Sequence, residues 1–475
     1  MRPTRKLKVG LTGLMCTPFQ GDKRSQFAAS GAELSQMAAR LGFELHVVPG
    51  GMWSLADARN ASRELEEWGA DFILLQTSSF GPGDFIYEFT RLDAFLGLWA
   101  VPEGAPMPNG GLPLNSFVAA NMYNSIARTF VTGYQRPLKW FYGRPGSPLF
   151  DERLEVTVRA LTALVNLRGA RIGLIGGVAP SFDNLIIDER VLNERLGIRV
   201  AHIEFDEVIA RAERQPQAET AAAAKTIRAG AASFDESQAP ALDKAGRVYL
   251  TYRQIAEERG LDALAISCWP RFQTDYHFAV CSVMGQMNDA GLIAACEGDV
   301  TSAVSMLALK YMSGNSVITL MDLSAVNEAD ESVLLWHCGP GAPSLADDKG
   351  VRMQSLWLFD GPEGDTTGLH NDMVLKPGHA TVMGFTTNFD RALVFDGCFD
   401  NTKGSYTGSR GWFKDLRLNG ETIRVRELIE TLMTSGFQHH YPVAYGDLTG
   451  PSLELAAWLA VKPIELIPYT AYLKP

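Results

Sequence analysis

The sequence predicts an α/β protein: two doubly wound parallel-sheet domains followed by a β-rich C-terminal domain. Three observations carry this. Short apolar runs alternate with helical spacing from the N-terminus onward, the rhythm of a parallel sheet with crossover helices. That rhythm restarts near residue 150. Past residue 337 helical patterns thin out, and glycine-centred turns separate alternating runs. The expected domains are 1–150, an N-terminal α/β domain; 151–320, a second α/β domain carrying Glu297; and 321–475, a β-rich domain carrying His337 and His440.

Each element has its own signal. Residues 6–12 are an apolar strand, and Gly10 and Gly13 open the turn after it. Helical spacing over 26–41 ends at Gly42. Strands at 43–48 and 71–76 flank a helix at 54–68. A strand at 97–101 precedes the Pro- and Gly-rich loop 102–113, a helix at 117–129 and a strand at 138–142. In the second domain, helix 151–167 leads to strand 170–175, closed by Gly176 and Gly177. Segments 185–196, 199–205, 218–229 and 237–259 extend the alternation to a strand at 261–267. The Glu-, Arg-, Gln- and Ala-rich piece 211–232 reads as a solvated helical pair. The last third holds the turns GPGAP, FDGPEGD, LKPGHA, FDGCFD and NTKGSYTGSRGWF, with strands at 380–387 and 391–395. A helix at 426–435, the run GFQHH, a helix near 452–459 and a final strand at 464–468 close the chain.

Composition bounds the function. The chain has 475 residues, 46% hydrophobic and 20% charged, ample for a packed core. A net charge of −11 argues against a nucleic-acid partner, because phosphate contact needs clustered Lys and Arg. No run approaches the roughly 18 apolar residues of a membrane span. The opening MRPTRKLKVGLTGL is basic but lacks a long apolar core, so no signal peptide is expected. The six cysteines show no CxxC spacing and read as buried free thiols in a reducing compartment, the cytoplasm.

The chemistry concentrates in residues 291–337. Three strand-like runs, 292–296, 316–321 and 332–336, are each followed by a metal-capable side chain: Glu297, Asp322 and His337. Between the first two lies a helix with Asp299 as N-cap, an apolar stripe through Val300, Val304, Leu307 and Leu309, and Gly314 at C′. Ligands of open α/β sheets bind beyond the carboxyl ends of strands, so these groups can converge. With the His439–His440 pair they form a candidate constellation. Mixed carboxylate and imidazole ligands suit Mn²⁺ and similar divalent ions and lack the thiolates of a structural zinc site. Taken singly, Glu297 reads equally as a helix-terminal charge, Asp322 as a turn former, His337 as a core histidine and His439–His440 as a surface pair. The glycines of 173–177 follow a strand without GxGxxG spacing and read as a tight turn. Trp269 and Trp412 are core aromatics or sugar-stacking faces, and Arg410 is a surface charge or a substrate contact.

The segments CEGDVTSAVSMLAL, MDLSAV, WHCG and GFQHHYPVAYG resemble the L-arabinose isomerase and L-fucose isomerase superfamily, and the three-part layout is similar over nearly the whole length. The resemblance implies Glu297, Asp322, His337 and His440 as ligands of Mn²⁺, with Co²⁺ or Mg²⁺ as other ions of the same site. It implies substrate contacts from His439 and Gln273, to which Trp269 is added as a stacking face. KPGHATVMGFT is similar to the family's Pro-Gly-x-x-Thr strand. The acid at 322 is Asp, as in the fucose branch, while His337 and the His-His pair resemble the arabinose branch. The implied activity is interconversion of a free pentose or deoxyhexose with its ketose through a cis-enediolate. Glu297 and Asp322 would move the proton between C1 and C2 while a chelated cation holds the developing charge. The implied assembly is a homotrimer or homohexamer. Two other readings stay open on the sequence alone: a non-catalytic sugar-binding protein, and an epimerase or lyase using the same enediolate chemistry.

Overall fold

A computed structural model describes residues 3–355, 358 and 367–473. The chain divides into two compact units, residues 5–165 and residues 166–475 together with the first four. The expected turn FDGPEGD, 359–365, lies outside the described residues.

The first unit is one parallel sheet with its helices. Its strands are β1 (Lys8–Gly13), β2 (Glu44–Val47), β3 (Phe72–Thr77), β4 (Phe95–Ala100) and β5 (Leu138–Tyr142), in the order β2-β1-β3-β4-β5. All four pairings are parallel. β3 and β4 are buried at every residue, which is why they read as continuous apolar runs. The helix Leu55–Trp68 starts on a capping box between Ser54 and Asp57 and stops at Gly69 in the left-handed conformation.

The second unit holds a parallel sheet and a barrel. The parallel strands β6 (Arg171–Ile175), β7 (Arg199–Ile203), β8 (Ala263–Ile266) and β9 (Ile293–Ala295) lie in the order β9-β8-β6-β7. The barrel strands are β10 (Ile318–Asn327), β11 (Ser332–His337), β12 (Gly378–Phe385), β13 (Arg391–Asp400), β14 (Ser409–Leu418) and β15 (His440–Tyr445). Antiparallel pairings run β13-β12-β15-β10-β11-β14, and β14 pairs back to β13, closing the ring. Closure removes the exposed edges that such a sheet would otherwise present. Met321, Val333, Leu335, Val382, Phe395, Phe413 and Val443 belong to its core.

The helix Val300–Met312 packs against β8 and β9 on one side and β12 and β15 on the other. Every residue of it except Lys310 is buried, so the helix is covered on every face and not only along the expected stripe. Lys310 reaches out to donate its Nζ proton to the Gly291 carbonyl at 2.5 Å.

Four expectations are corrected. The strand expected to end before Asp322 runs on to Asn327, because β11 pairs with it along that length around a bulge at Ser324. Segment 185–196 becomes a helix only from Glu189, where Asp188 accepts from the Arg190 N–H. Segment 199–205 stops as a strand at Ile203, and Phe205 opens the next helix. The final strand expected at 464–468 does not form: the only strand there is Lys462–Pro463, just before it, and Pro468 lacks the N–H a ladder needs.

Candidate metal and active site

The site forms where β9 gives way to the helix Val300–Met312, against the ends of β11 and β15 and the middle of β10. Glu297 and Gly298 both have positive φ, 60° and 74°. Two left-handed residues in succession turn the chain sharply between strand and helix. Gly298 has no alternative: a Cβ there would stand 2.3 Å from the Gly177 carbonyl oxygen. Glu297 does carry a side chain, so its conformation costs about 1–3 kcal/mol and must be held by its surroundings. The Gly298 N–H donates to the Ile266 carbonyl at 2.9 Å, and the Ala179 N–H donates to the Glu297 carbonyl at 3.0 Å. Strain held this firmly beneath a carboxylate is a mark of function.

His440 is the hub. It is the first residue of β15 and lies directly across from Asp322 of β10. Its Nδ1 donates to Asp299 Oδ2 at 2.9 Å, and both side chains are fully buried. Asp299 also caps the helix, accepting from the Ser302 N–H at 2.8 Å and the Ser302 hydroxyl at 2.6 Å. Anchored through Nδ1, His440 turns Nε2 toward Glu297 Oε2 at 3.6 Å and Asp322 Oδ1 at 3.9 Å. His337 ends β11, stacks on His440 with ring centroids 5.8 Å apart, and has its Nδ1 2.8 Å from the Cys338 backbone nitrogen.

Thus the structure brings Glu297, Asp322, His337, His439 and His440 together. One ligand atom from each of Asp322, His337 and His440 lies within 4.8 Å of the others, and so does one from each of Glu297, His439 and His440. Three buried atoms in this set, Asp322 Oδ1, His337 Nε2 and His440 Nε2, have no hydrogen-bond partner. A buried polar atom left unpaired costs about 1–3 kcal/mol, so three in one place call for an occupant. Two carboxylates and imidazole nitrogens, one backed by a buried carboxylate, suit a divalent cation with oxygen and nitrogen preference.

The electrostatics agree. Burial alone would raise the pKa of Glu297, but the hydrogen bond from His439 and the nearby His440 and His337 hold it below the usual range. Burial likewise opposes ionisation of Asp299, and its bonds from His440 and Ser302 outweigh it. Burial disfavours a charged His337, yet Asp322 beside it lifts its pKa to about 9. Burial also works against charge on His439 and His440, and hydrogen bonds to Glu297 and Asp299 respectively raise both.

The other sequence candidates stand at the margin. Gln273 is buried and donates Nε2 to the Cys268 carbonyl at 2.9 Å. Trp269 is 44% exposed in the same turn. This turn meets the site through sulfur: Cys268 Sγ lies 2.9 Å from Cys296 Sγ, next to Glu297. All six cysteines are free. Arg410 is ion-paired with Asp372, and Trp412 lies beneath Lys403. Two contributors escape sequence reasoning. Asp299 reads as a cap and nothing more, although a second carboxylate two residues after Glu297 is a signal. Asn184, whose Nδ2 is 3.1 Å from His439 Nδ1, sits in a loop with no local pattern.

No protein-family model matches the chain. Curated relatives do. Sulfoquinovose isomerase of Priestia aryabhattai is 27% identical over 409 residues, covering 82% of this chain and 84% of the relative. Sulfoquinovose isomerase of Alkalicoccus urumqiensis is 26% identical over 405 residues, covering 83% and 86%. The sulfoquinovose isomerase of Clostridium sp. strain MSTE9 is 26% identical over 380 residues, covering 77% and 79%. The chain is a sugar isomerase, an intramolecular oxidoreductase. Among solved structures, a solute-binding protein of an ABC transporter from Burkholderia multivorans covers 65% of the isomerase and 94% of its own chain, at 10% identity and a TM-score of 0.17, too slight a likeness to bear on the fold. No helix among the described residues of the isomerase is long and apolar enough to cross a membrane.

Proposed function

We propose that the chain is a divalent-metal-dependent aldose–ketose isomerase working through a cis-enediolate. The observation that carries this is the convergence of three unpartnered buried ligand atoms, on Asp322, His337 and His440, beside the strained Glu297. Glu297, Asp322, His337 and His440 would hold the ion, with Mn²⁺ the first choice and Co²⁺ or Mg²⁺ as alternatives. A bound cation supplies Lewis acidity to the sugar oxygens.

The chain's own residues do the rest. Isomerisation takes a proton from C2 of the aldose and returns one to C1 of the ketose, while a hydroxyl proton passes from O2 to O1. Carboxylates are the groups here able to take and return the carbon-bound proton, and we assign that work to Glu297 and Asp322. His439 keeps Glu297 ionised by donating Nε2–H at 3.0 Å, and its face stays available to a sugar hydroxyl. Gln273 and Trp269 line the approach as substrate-binding residues in this reading. The relatives' name puts the sulfonated sugar sulfoquinovose first among substrates, with a free pentose or deoxyhexose next. A homotrimer or homohexamer in the cytoplasm completes the proposal.

The test is elemental analysis of the purified chain with a sugar panel assayed before and after chelation. Stoichiometric Mn²⁺, with ketose formed from one aldose and turnover lost to chelator and restored by Mn²⁺, supports the reading. Turnover unchanged after complete metal removal would sink it.

A further inference from the structure

We infer that Asn184 is a positioning residue of the site, holding His439 in the one orientation from which it can hydrogen-bond Glu297. The inference rests on the proposed function for its kinetic consequence and on geometry alone for its structural one.

The argument runs from the carboxylate outward. An ionised carboxylate only accepts hydrogen bonds. His439 Nε2 lies 3.0 Å from Glu297 Oε2, so Nε2 carries a proton. The neutral ring then has a lone pair at Nδ1, which needs a donor. Asn184 Nδ2 stands 3.1 Å from that atom and provides one. Without it the ring, 39% exposed, can move its proton to Nδ1, which would leave a lone pair facing Glu297.

Asn184 does not act from an isolated side chain. It belongs to the loop between β6 and the helix Glu189–Leu196, in the turn Asp183–Leu185. The Phe182 ring of that loop packs against His439 at a centroid distance of 5.8 Å. The Phe182 N–H donates to the Ala179 carbonyl at 3.1 Å, and the Ala179 N–H donates to the Glu297 carbonyl at 3.0 Å. One loop therefore holds Glu297 twice: its backbone through Ala179, and its carboxylate through Asn184 and His439. The group directly behind a metal ligand is worth about 10–100-fold in metal affinity or activity; His439 holds that place behind Glu297, and Asn184 holds His439, so its own effect falls at the low end of that range.

The experiment compares wild type, Asn184→Ala and Asn184→Gln in the full chain. Asn184→Ala should lower kcat about tenfold with KM within about twofold of wild type, weaken Mn²⁺ binding measured by calorimetry to a similar degree, and leave the melting temperature unchanged because Asn184 is exposed. Asn184→Gln, which keeps an amide donor, should recover part of the loss. A readout that needs neither metal nor turnover is the rate at which diethyl pyrocarbonate modifies His439, followed by peptide mass spectrometry. That rate should rise severalfold in Asn184→Ala, because Nδ1 becomes free. An unchanged His439 modification rate overturns the inference even if the isomerase reading fails; a faster rate with unchanged kcat and Mn²⁺ affinity overturns the positioning role.

Discussion

His440 and Asp299 form a fully buried pair, with His440 Nδ1 2.9 Å from Asp299 Oδ2. The same carboxylate caps the helix Val300–Met312. One side chain thus anchors a helix of the parallel-sheet layer and orients an imidazole of the barrel. The proposed ligand geometry depends on that joint.

Replacing Asp299 with asparagine separates its two duties. Asparagine is a good N-cap, so the helix start should survive. An amide oxygen is a weaker acceptor than a carboxylate, and an amide turned the other way would meet Nδ1 with its own N–H. The expected outcome for Asp299→Asn is a fold of near-native secondary structure by circular dichroism, with Mn²⁺ affinity down about 10–100-fold by calorimetry. Wild-type affinity would remove Asp299 from the site.

Glu297→Gln keeps the size of the side chain and removes both its charge and its basicity. Turnover should vanish while the melting temperature stays within a few degrees, and proton exchange between substrate and D₂O should vanish with it. The amide oxygen that replaces the carboxylate can still accept from His439, so a collapse of the fold is not expected. Full activity in this variant would eliminate the proposed proton transfer.

Metal binding should depend on pH with a defined sign. A ligating imidazole must be unprotonated on the ligating nitrogen. The His337 pKa is lifted to about 9, with burial opposing and Asp322 prevailing, and His440 is raised in the same direction. Below pH 9 an ion must therefore displace a proton from His337, and affinity falls as pH drops. The expected slope is about tenfold per pH unit for each proton released. Calorimetry in buffers of different ionisation enthalpy counts those protons directly. Affinity independent of pH from about 6.5 up to the His337 pKa would show that His337 is not a ligand.

How legible is this site in the sequence? The carboxylates and imidazoles are visible as residue types following apolar runs, and the runs do predict their gathering. The reason they offer for it is partly wrong. Only Glu297 lies just beyond the end of a parallel strand; Asp322 sits mid-strand and His337 is the last residue of its strand, both in an antiparallel barrel. Strand continuation past Asp322 depends on pairing with β11, which is a non-local fact. The barrel's closure through β13 and β14 is equally non-local and has no signature within either strand. Local signals do well where the physics is local, as with the Asp299 cap, the Ser54 start and the strand Leu138–Tyr142. Asn184 is unreadable because its meaning depends entirely on a histidine that the fold brings to it.

Gly298 gives the last prediction. Its φ of 74° favours glycine, and the space where a Cβ would go already holds the Gly177 carbonyl oxygen and the Val178 Cα, at 2.3 and 2.8 Å. Both obstacles are backbone, so no side chain can rotate away. Gly298→Ala must either shift the Gly177–Val178 loop or unwind the turn. In both cases the Ala179 bond to the Glu297 carbonyl is disturbed, and the carboxylate loses its aim. The conformational strain alone should cost about 1–2 kcal/mol, and the clash adds to it. Thermal denaturation should show a lowered midpoint, and activity should fall further than the lost stability explains when assayed well below that midpoint. A Gly298→Ala protein with native melting and native kcat would mean that this turn has room to spare and does not set the position of Glu297.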